Sequence, residues 1–221
     1  MRFTDRTDAG QRLAKALAGY AGRQPVILAL PRGGVPVAAQ VAESLKAPLD
    51  LVLVRKIGVP HEPELAMGAV VDGDQPIVVR NASVISMSRI FEADFEATKD
   101  RELAEIERRR ELYLGSRKRA VLAGRIVIVI DDGIATGATV KAALRAIRQR
   151  HPKELVLAVP VAPADTVAEL RREVDELICL ASPEFFSSIG GFYDDFRQVG
   201  DDEVIDTLAR FPVSADEEAS D

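Results

Sequence analysis

Short runs of branched aliphatic residues alternate along this chain with longer amphipathic stretches. Residues 26–30 (VILAL), 49–54 (LDLVLV), 125–131 (RIVIVID), 154–160 (ELVLAVP) and 176–181 (ELICLA) are near-continuous Val/Ile/Leu segments, the pattern of strands buried on both faces. Residues 8–20, 35–46, 138–150, 164–174 and 201–210 have the periodicity of helices, the first with Asp8 as its cap. GAVVD (68–72) and PIVVR (76–80) read as short strands, whereas 57–67, with Pro60 and Pro63 and little periodicity, reads as a mobile loop. Ser88 is placed to cap a long charged helix over roughly 89–114, with Ile90, Phe91, Phe95, Leu103, Ile106 and Leu112 near an apolar stripe. That helix breaks the short rhythm and predicts a separate flap or hood. The whole predicts an α/β fold: a parallel sheet with helices on both faces, plus a helical insertion. One domain spans 1–212, with its core over 25–80 and 121–181, the insertion over 84–117 and a C-terminal segment over 182–212. The acidic tail 213–221 is expected to be disordered.

In open parallel sheets, ligands sit at the carboxyl ends of the strands. Here those ends read PRGG after 26–30, Arg55-Lys56 after 49–54 and DDGIATGAT from Asp131. Adjacent carboxylates repel and resist burial, so Asp131 and Asp132 call for a partner. A structural use is open to them too, because Asp132 suits a helix cap or the pair can face water. The residues that follow favour a ligand. Gly133, Ala135, Gly137 and Ala138 carry almost no bulk, so the loop can wrap closely and aim backbone N–H groups inward. Thr136 and Thr139 add hydroxyls, and the loop opens a helix whose N-terminus favours phosphate. Carboxylates for vicinal hydroxyls beside a phosphate cradle suit a ribose 5-phosphate. The segment lacks the P-loop lysine, the G-x-G-x-x-G fingerprint and the G-x-S-x-G elbow.

VIVIDDGIATGAT (127–139) resembles the signature of the type I phosphoribosyltransferases, which bind 5-phosphoribosyl 1-diphosphate (PRPP), and the β-α order of 25–181 is similar to that family's core. The resemblance implies a type I phosphoribosyltransferase core and a Mg2+-dependent transfer of ribose 5-phosphate from PRPP to a nucleobase-like acceptor, releasing diphosphate. It implies that Asp131 and Asp132 hold the ribose hydroxyls, partly through Mg2+, and that Gly133, Ile134, Ala135, Thr136, Gly137, Ala138 and Thr139 hold the 5-phosphate. Arg32, Gly33 and Gly34, in a loop often strained or cis in that family, would bind diphosphate together with Arg55 and Lys56. Asp131, Asp132, Arg32 and Lys56 are the expected catalytic groups, and 57–67 matches the family's mobile lid. His61, Glu62 and Glu64 read as ordinary lid residues.

Enzymes of the family acting on 6-oxopurines carry an aspartate where this chain has Ala135, which is more like the adenine-type pattern. Residues 183–197 (PEFFSSIGGFYDDFR) gather aromatics in a chain that is only 5% aromatic. Phe185, Phe186, Phe192 and Tyr193 either stack an acceptor base or pack the C-terminal segment onto the core. Helix 89–114 either covers the acceptor or makes a homodimer surface.

Composition narrows this further. The chain has 221 residues, 47% hydrophobic and 29% charged, enough for a substantial core. The run MRFTDRTDAG lacks a signal-type apolar stretch and no run approaches a membrane span. A lone Cys179, expected as a small core residue in mid-strand, forms no internal disulfide, in keeping with a cytoplasmic setting. Two histidines are too few for a zinc cluster, and His151 is explained by a helix C-terminus. The net charge of −6 argues against nucleic acid as partner. A second reading is a PRPP- or nucleotide-sensing regulator with little turnover; a third is a purely structural α/β domain.

Overall fold

The computed structural model describes residues 1–73 and 76–211; the expected acidic tail lies outside them. In chain order the first half runs α1 (Arg6–Ala16), β1 (Val26–Ala29), α2 (Gly34–Leu45), β2 (Leu49–Leu51), β3 (Val54–Val59), β4 (Glu62–Val71), β5 (Ile77–Arg80) and α3 (Ala82–Met87). The second half runs α4 (Glu92–Leu114), β6 (Ile126–Ile130), α5 (Ala138–Arg148), β7 (Glu154–Val161), α6 (Ala164–Leu170), β8 (Glu176–Ala181) and α7 (Asp201–Ala209). A parallel sheet in the order β2-β1-β6-β7-β8 is central, and β3, β4 and β5 form a separate antiparallel sheet.

Why these runs become central strands is visible in their alternation. Ile27, Ala29, Ile128, Ile130, Val156 and Ala158 face a core layer that includes α1, α2 and the inner side of α4. Val26, Leu28, Val127, Val129, Leu155 and Leu157 face the layer built with α5. With side chains packed on both faces, no polar alternation is allowed and the sequence reads as unbroken Val/Ile/Leu.

Four expectations are corrected. The cap of α1 is Asp5, whose carboxylate accepts from the Asp8 N–H at 2.8 Å; Asp8 lies in the first turn, where it binds Arg12. The run 49–54 is not one strand: the chain leaves the main sheet after Leu51, and Val54 opens the second sheet. Residues 57–67 are not a loop but most of a β-hairpin, β3 pairing antiparallel with β4 around a turn at Pro60-His61. Its register shifts opposite Gly58, where a bulge accommodates Pro63. Ser88 does not open the hood helix. It ends α3, and α4 starts behind Phe91, which is 76% exposed rather than in the apolar stripe, as Leu112 also is at 40%. Phe95 and Ile106 are the buried residues of that stripe. Among the described residues, no helix is long and apolar enough to cross a membrane.

Candidate functional site

The carboxyl end of β6 delivers Asp131 and Asp132, and the chain returns through 133–137 into α5. Ile130 and Ile134 are anchored in the core on either side of the aspartates. Ile134 also donates its N–H to Val161 O at 2.9 Å, so that N–H is spent on the β7 end and not offered to a ligand. By contrast, among the described residues no acceptor is bonded to the N–H groups of Gly133, Ala135, Thr136 or Gly137. Gly137 has φ +74°, a conformation glycine adopts without strain, and it caps α5. Thr166 fixes the loop from outside, donating to Ala135 O at 3.0 Å. The result is a short stretch of free donors at a helix N-terminus, an anion cradle by chemistry.

The loop after β1 packs directly against this turn. The Pro31–Arg32 peptide is cis. A Cβ on Gly33 would lie 2.1 Å from Asp132 Oδ2, and one on Gly34 would lie 2.8 Å from Ile130 O and 3.0 Å from Asp131 Cα. Only a chain without side chains at 33 and 34 can pass so close. The two glycines thus border both aspartates.

Asp132 is nearly buried, 7% exposed, and its carboxylate is held by Arg6: Nε and Nη2 both lie 2.8 Å from Oδ2. Arg6 in turn stacks on Phe196 at 4.0 Å and donates to Arg197 O at 2.7 Å. Burial pushes the Asp132 carboxyl above the usual range, against the pull of Arg6. Burial, and then the charge of Asp132, push Asp131 well above it, although Asp131 accepts the Asp132 N–H at 2.9 Å. Tyr193 donates to Asp132 O at 2.6 Å.

The cations divide. Arg55 and Lys56, on β3, line a cavity of 370 Å³ together with Thr139 at the start of α5. This brings the Arg55-Lys56 pair to the turn that opens α5. Both have acidic partners: Arg55 Nε lies 2.8 Å from Glu102 of α4, and Lys56 Nζ 3.1 Å from Glu64. Arg32 is not in that cavity; its guanidinium faces Asp201 of α7 at 3.5 Å. Asp201 also accepts from the Tyr113 hydroxyl, whose pKa burial and this carboxylate push up to about 12.

The aromatic segment also divides. Phe186 and Phe192 stack on each other, centroids 5.6 Å apart, and Phe185 is 93% exposed. Tyr193 is corrected as a base-stacking candidate: its ring is buried between Phe3 and Phe196, and its hydroxyl is committed to Asp132 O. The segment does reach the loop, because a Cβ on Gly133 would meet Ile189 Cγ2 at 2.5 Å. His151 sits past the end of α5, and Cys179 is half-buried in β8, its thiol pushed up by burial.

Sequence reasoning missed Arg6, Glu102 and Asp201. Each acts through a partner far away in the chain, and none lies in a local motif.

Comparison with known proteins shows the family. The sequence model of the phosphoribosyl transferase domain family matches residues 4–197. Proteins from two strains of Mycobacterium tuberculosis, provisionally named phosphoribosyl transferases, are 47% identical over 208 residues, covering 94% of this chain and 46% of theirs. The chain therefore spans about half the length of the curated relatives it matches. The crystal structure of TT1426 from Thermus thermophilus superposes with a TM-score of 0.84 at 40% identity, covering 96% of this chain and 100% of that one. The aspartate pair, its glycine neighbours and the open N–H cradle are thus found in a chain that belongs to the phosphoribosyl transferase domain family.

Proposed function

We propose that this chain binds PRPP and transfers its 5-phosphoribosyl group to a ring nitrogen of a nucleobase-like acceptor, releasing diphosphate. The observation that carries the reading is the turn at 131–139: two partly or fully buried carboxylates beside four unbonded N–H groups and an α-helix N-terminus. Ribose hydroxyls donate to Asp131 and Asp132 while the 5-phosphate accepts from the loop. Arg55 and Lys56, across the cavity from Thr139, meet the diphosphate. Arg32 reaches it after exchanging Asp201 for the ligand.

In the reaction the C1–O bond to diphosphate breaks and a C1–N bond forms. The electron pair of the old bond leaves with diphosphate, and the acceptor nitrogen loses its proton to the departing diphosphate. Charge thus grows on the leaving group as the sugar becomes cation-like. Fixed cations on one side and carboxylates on the other stabilise that separation. The β3–β4 hairpin and α4 exclude water around the sugar. Ala135 offers no proton acceptor, so no general base is assigned.

Among the described residues, no three His, Cys, Asp or Glu side chains are gathered as a metal cage. Two adjoining carboxylates suit Mg2+ in another way, because this ion is commonly held by one or two carboxylates with substrate phosphates and water completing its shell. Asp131 and Asp132 are the residues that would hold it. Mg2+ bound there would neutralise charge on the diphosphate.

The test is incubation of the chain with PRPP, Mg2+ and a panel of bases, following diphosphate release. Turnover with one base supports transfer; absence of both turnover and PRPP binding overturns the reading. Asp131→Asn with Asp132→Asn should weaken PRPP binding about tenfold or more, since two carboxyl groups that meet the ribose hydroxyls are lost. PRPP binding without turnover supports a second reading, a PRPP or nucleotide sensor. The pairing of Asp132 with Arg6 and of Arg32 with Asp201 favours that reading to the extent that these contacts persist with ligand bound.

A further inference from the structure

We propose that a second pocket, bounded by α5, β4, β5 and α3, is a binding site for a nucleoside phosphate. It is a cavity of 480 Å³, within the range of about 300–1,000 Å³ typical of small-molecule sites. It shares no lining residue with the 370 Å³ cavity of Arg55 and Lys56. The inference stands on its own residues and does not depend on turnover at the aspartate pair.

Two features define the ligand. The apolar lining is Val79 and six residues with no more than a methyl side chain, among them Gly68, Ala69 and Ala142. Such small side chains leave an apolar surface on which a flat ring can lie. The rim carries Arg80, Lys141 and Arg145, and among the described residues no carboxylate lines the cavity. Three cations around one cavity depart from the average of a chain with net charge −6. A ring with an anionic group matches apolar lining and rim together, and the volume exceeds what a free phosphate needs.

The cations have acidic partners, and these orient them without exhausting them. Arg80 holds Glu92 through Nη1 and Nη2 at 2.8 and 2.6 Å, leaving Nε. Arg145 holds Glu173 through Nε and Nη2, the latter at 2.7 Å, leaving Nη1. Lys141 donates to Glu169 and lies 3.9 Å from Glu173, which leaves two of its three N–H donors. None of these three carboxylates lines the cavity. At the mouth, the Asn81 side-chain oxygen is occupied by Ser83 Oγ at 2.7 Å and the Val84 N–H, so its NH2 remains as a donor to a ring edge.

The two cavities flank the opening turn of α5, Ala138 lining one and Thr139 the other. An occupant of the second pocket therefore bears on the turn that carries the phosphate cradle.

Equilibrium dialysis of the full chain with labelled AMP, and separately with inorganic phosphate, tests the site. The Asp131→Asn/Asp132→Asn chain weakens the first site, and AMP is expected to bind this chain with undiminished affinity. Adding Lys141→Ser and Arg145→Ser to that chain should weaken AMP about tenfold or more, two charge-assisted contacts having been removed. Arg80→Gln alone, at a residue on the protein surface, should act in the same direction by a smaller factor. Loss of AMP binding in the Asp131→Asn/Asp132→Asn chain overturns the proposal, as does undiminished binding after the Lys141 and Arg145 changes. Equal affinity for inorganic phosphate and AMP overturns the assignment of a nucleoside.

Discussion

At the scale of single residues, the unusual cost of this molecule is the burial of Asp131 and Asp132. Burial raises both carboxyls above the ordinary value of 3.8, and Asp50 is shifted the same way by the same cause. Linkage fixes the sign. Below that ordinary value both the folded and unfolded states keep the proton. As pH rises through it, the unfolded carboxyl ionises while the folded one still holds its proton. The folded state then binds more protons, and stability falls until pH passes the folded pKa. Asp131→Asn removes its share of that fall. The variant should gain on the wild type with rising pH, by at most about 1.4 kcal/mol per pH unit, in urea unfolding between pH 4 and 8. A constant difference across that range would mean that Asp131 is not held protonated by the fold. The aspartates, the glycines and the threonines were legible because a turn and its ligand chemistry are local. Arg6 was not: its partner is 126 positions away, and an arginine in the first turn of α1 looks like any solvated charge.

At the scale of elements, the parallel strands were readable and the antiparallel sheet was not. Burial on both faces writes an unmistakable run of Val, Ile and Leu, but the same run hides where one strand stops. Val52 and Leu53 are buried whether the chain continues in β2 or crosses to β3, so 49–54 read as a single strand. The hairpin was hidden by Pro60 and Pro63, which sit at its turn and bulge, places a strand tolerates them. Its placement has a consequence. β3 carries Arg55 against Glu102, so hairpin and hood helix are tied across the cavity that faces Thr139. Glu102→Gln should release Arg55 toward that cavity and tighten diphosphate binding about two- to fivefold, in line with the worth of a partly exposed ion pair. Calorimetric titration with diphosphate measures it; unchanged or weaker binding would show that Arg55 does not face the anion.

At the scale of the whole molecule, one side chain ties distant parts of the fold together. Arg117, just past the hood helix, donates to Leu49 O at the edge strand β2, and to Leu208 O, at 2.6 Å, and Phe211 O at the end of α7. Burial lowers its pKa, yet the nearby Asp50 carboxylate opposes that shift. Carbonyls of the first residue of β2, of the last turn of α7 and of Phe211 beyond it thus share one guanidinium, a contact no sequence periodicity announces because it joins positions 49, 117, 208 and 211. The link reaches the site from behind. α7 begins at Asp201, which holds both Tyr113 of the hood helix and Arg32 of the loop after β1. Arg117→Met keeps the aliphatic stem but removes the guanidinium from all three carbonyls, of which Leu208 O keeps the Phe211 N–H at 3.0 Å. It should cost about 2–4 kcal/mol in urea unfolding with an unchanged slope. Hydrogen exchange should localise the loss to α7, whose amides would exchange faster than those of β6 and β7. With α7 frayed, Asp201 no longer restrains Arg32, so any effect on PRPP should appear in its binding rather than in the rate from bound substrate. Uniform loss of protection across β6 and β7 would instead show that the clamp holds the central sheet, and the C-terminal helix would lose its place as a separate, adjustable neighbour of the site.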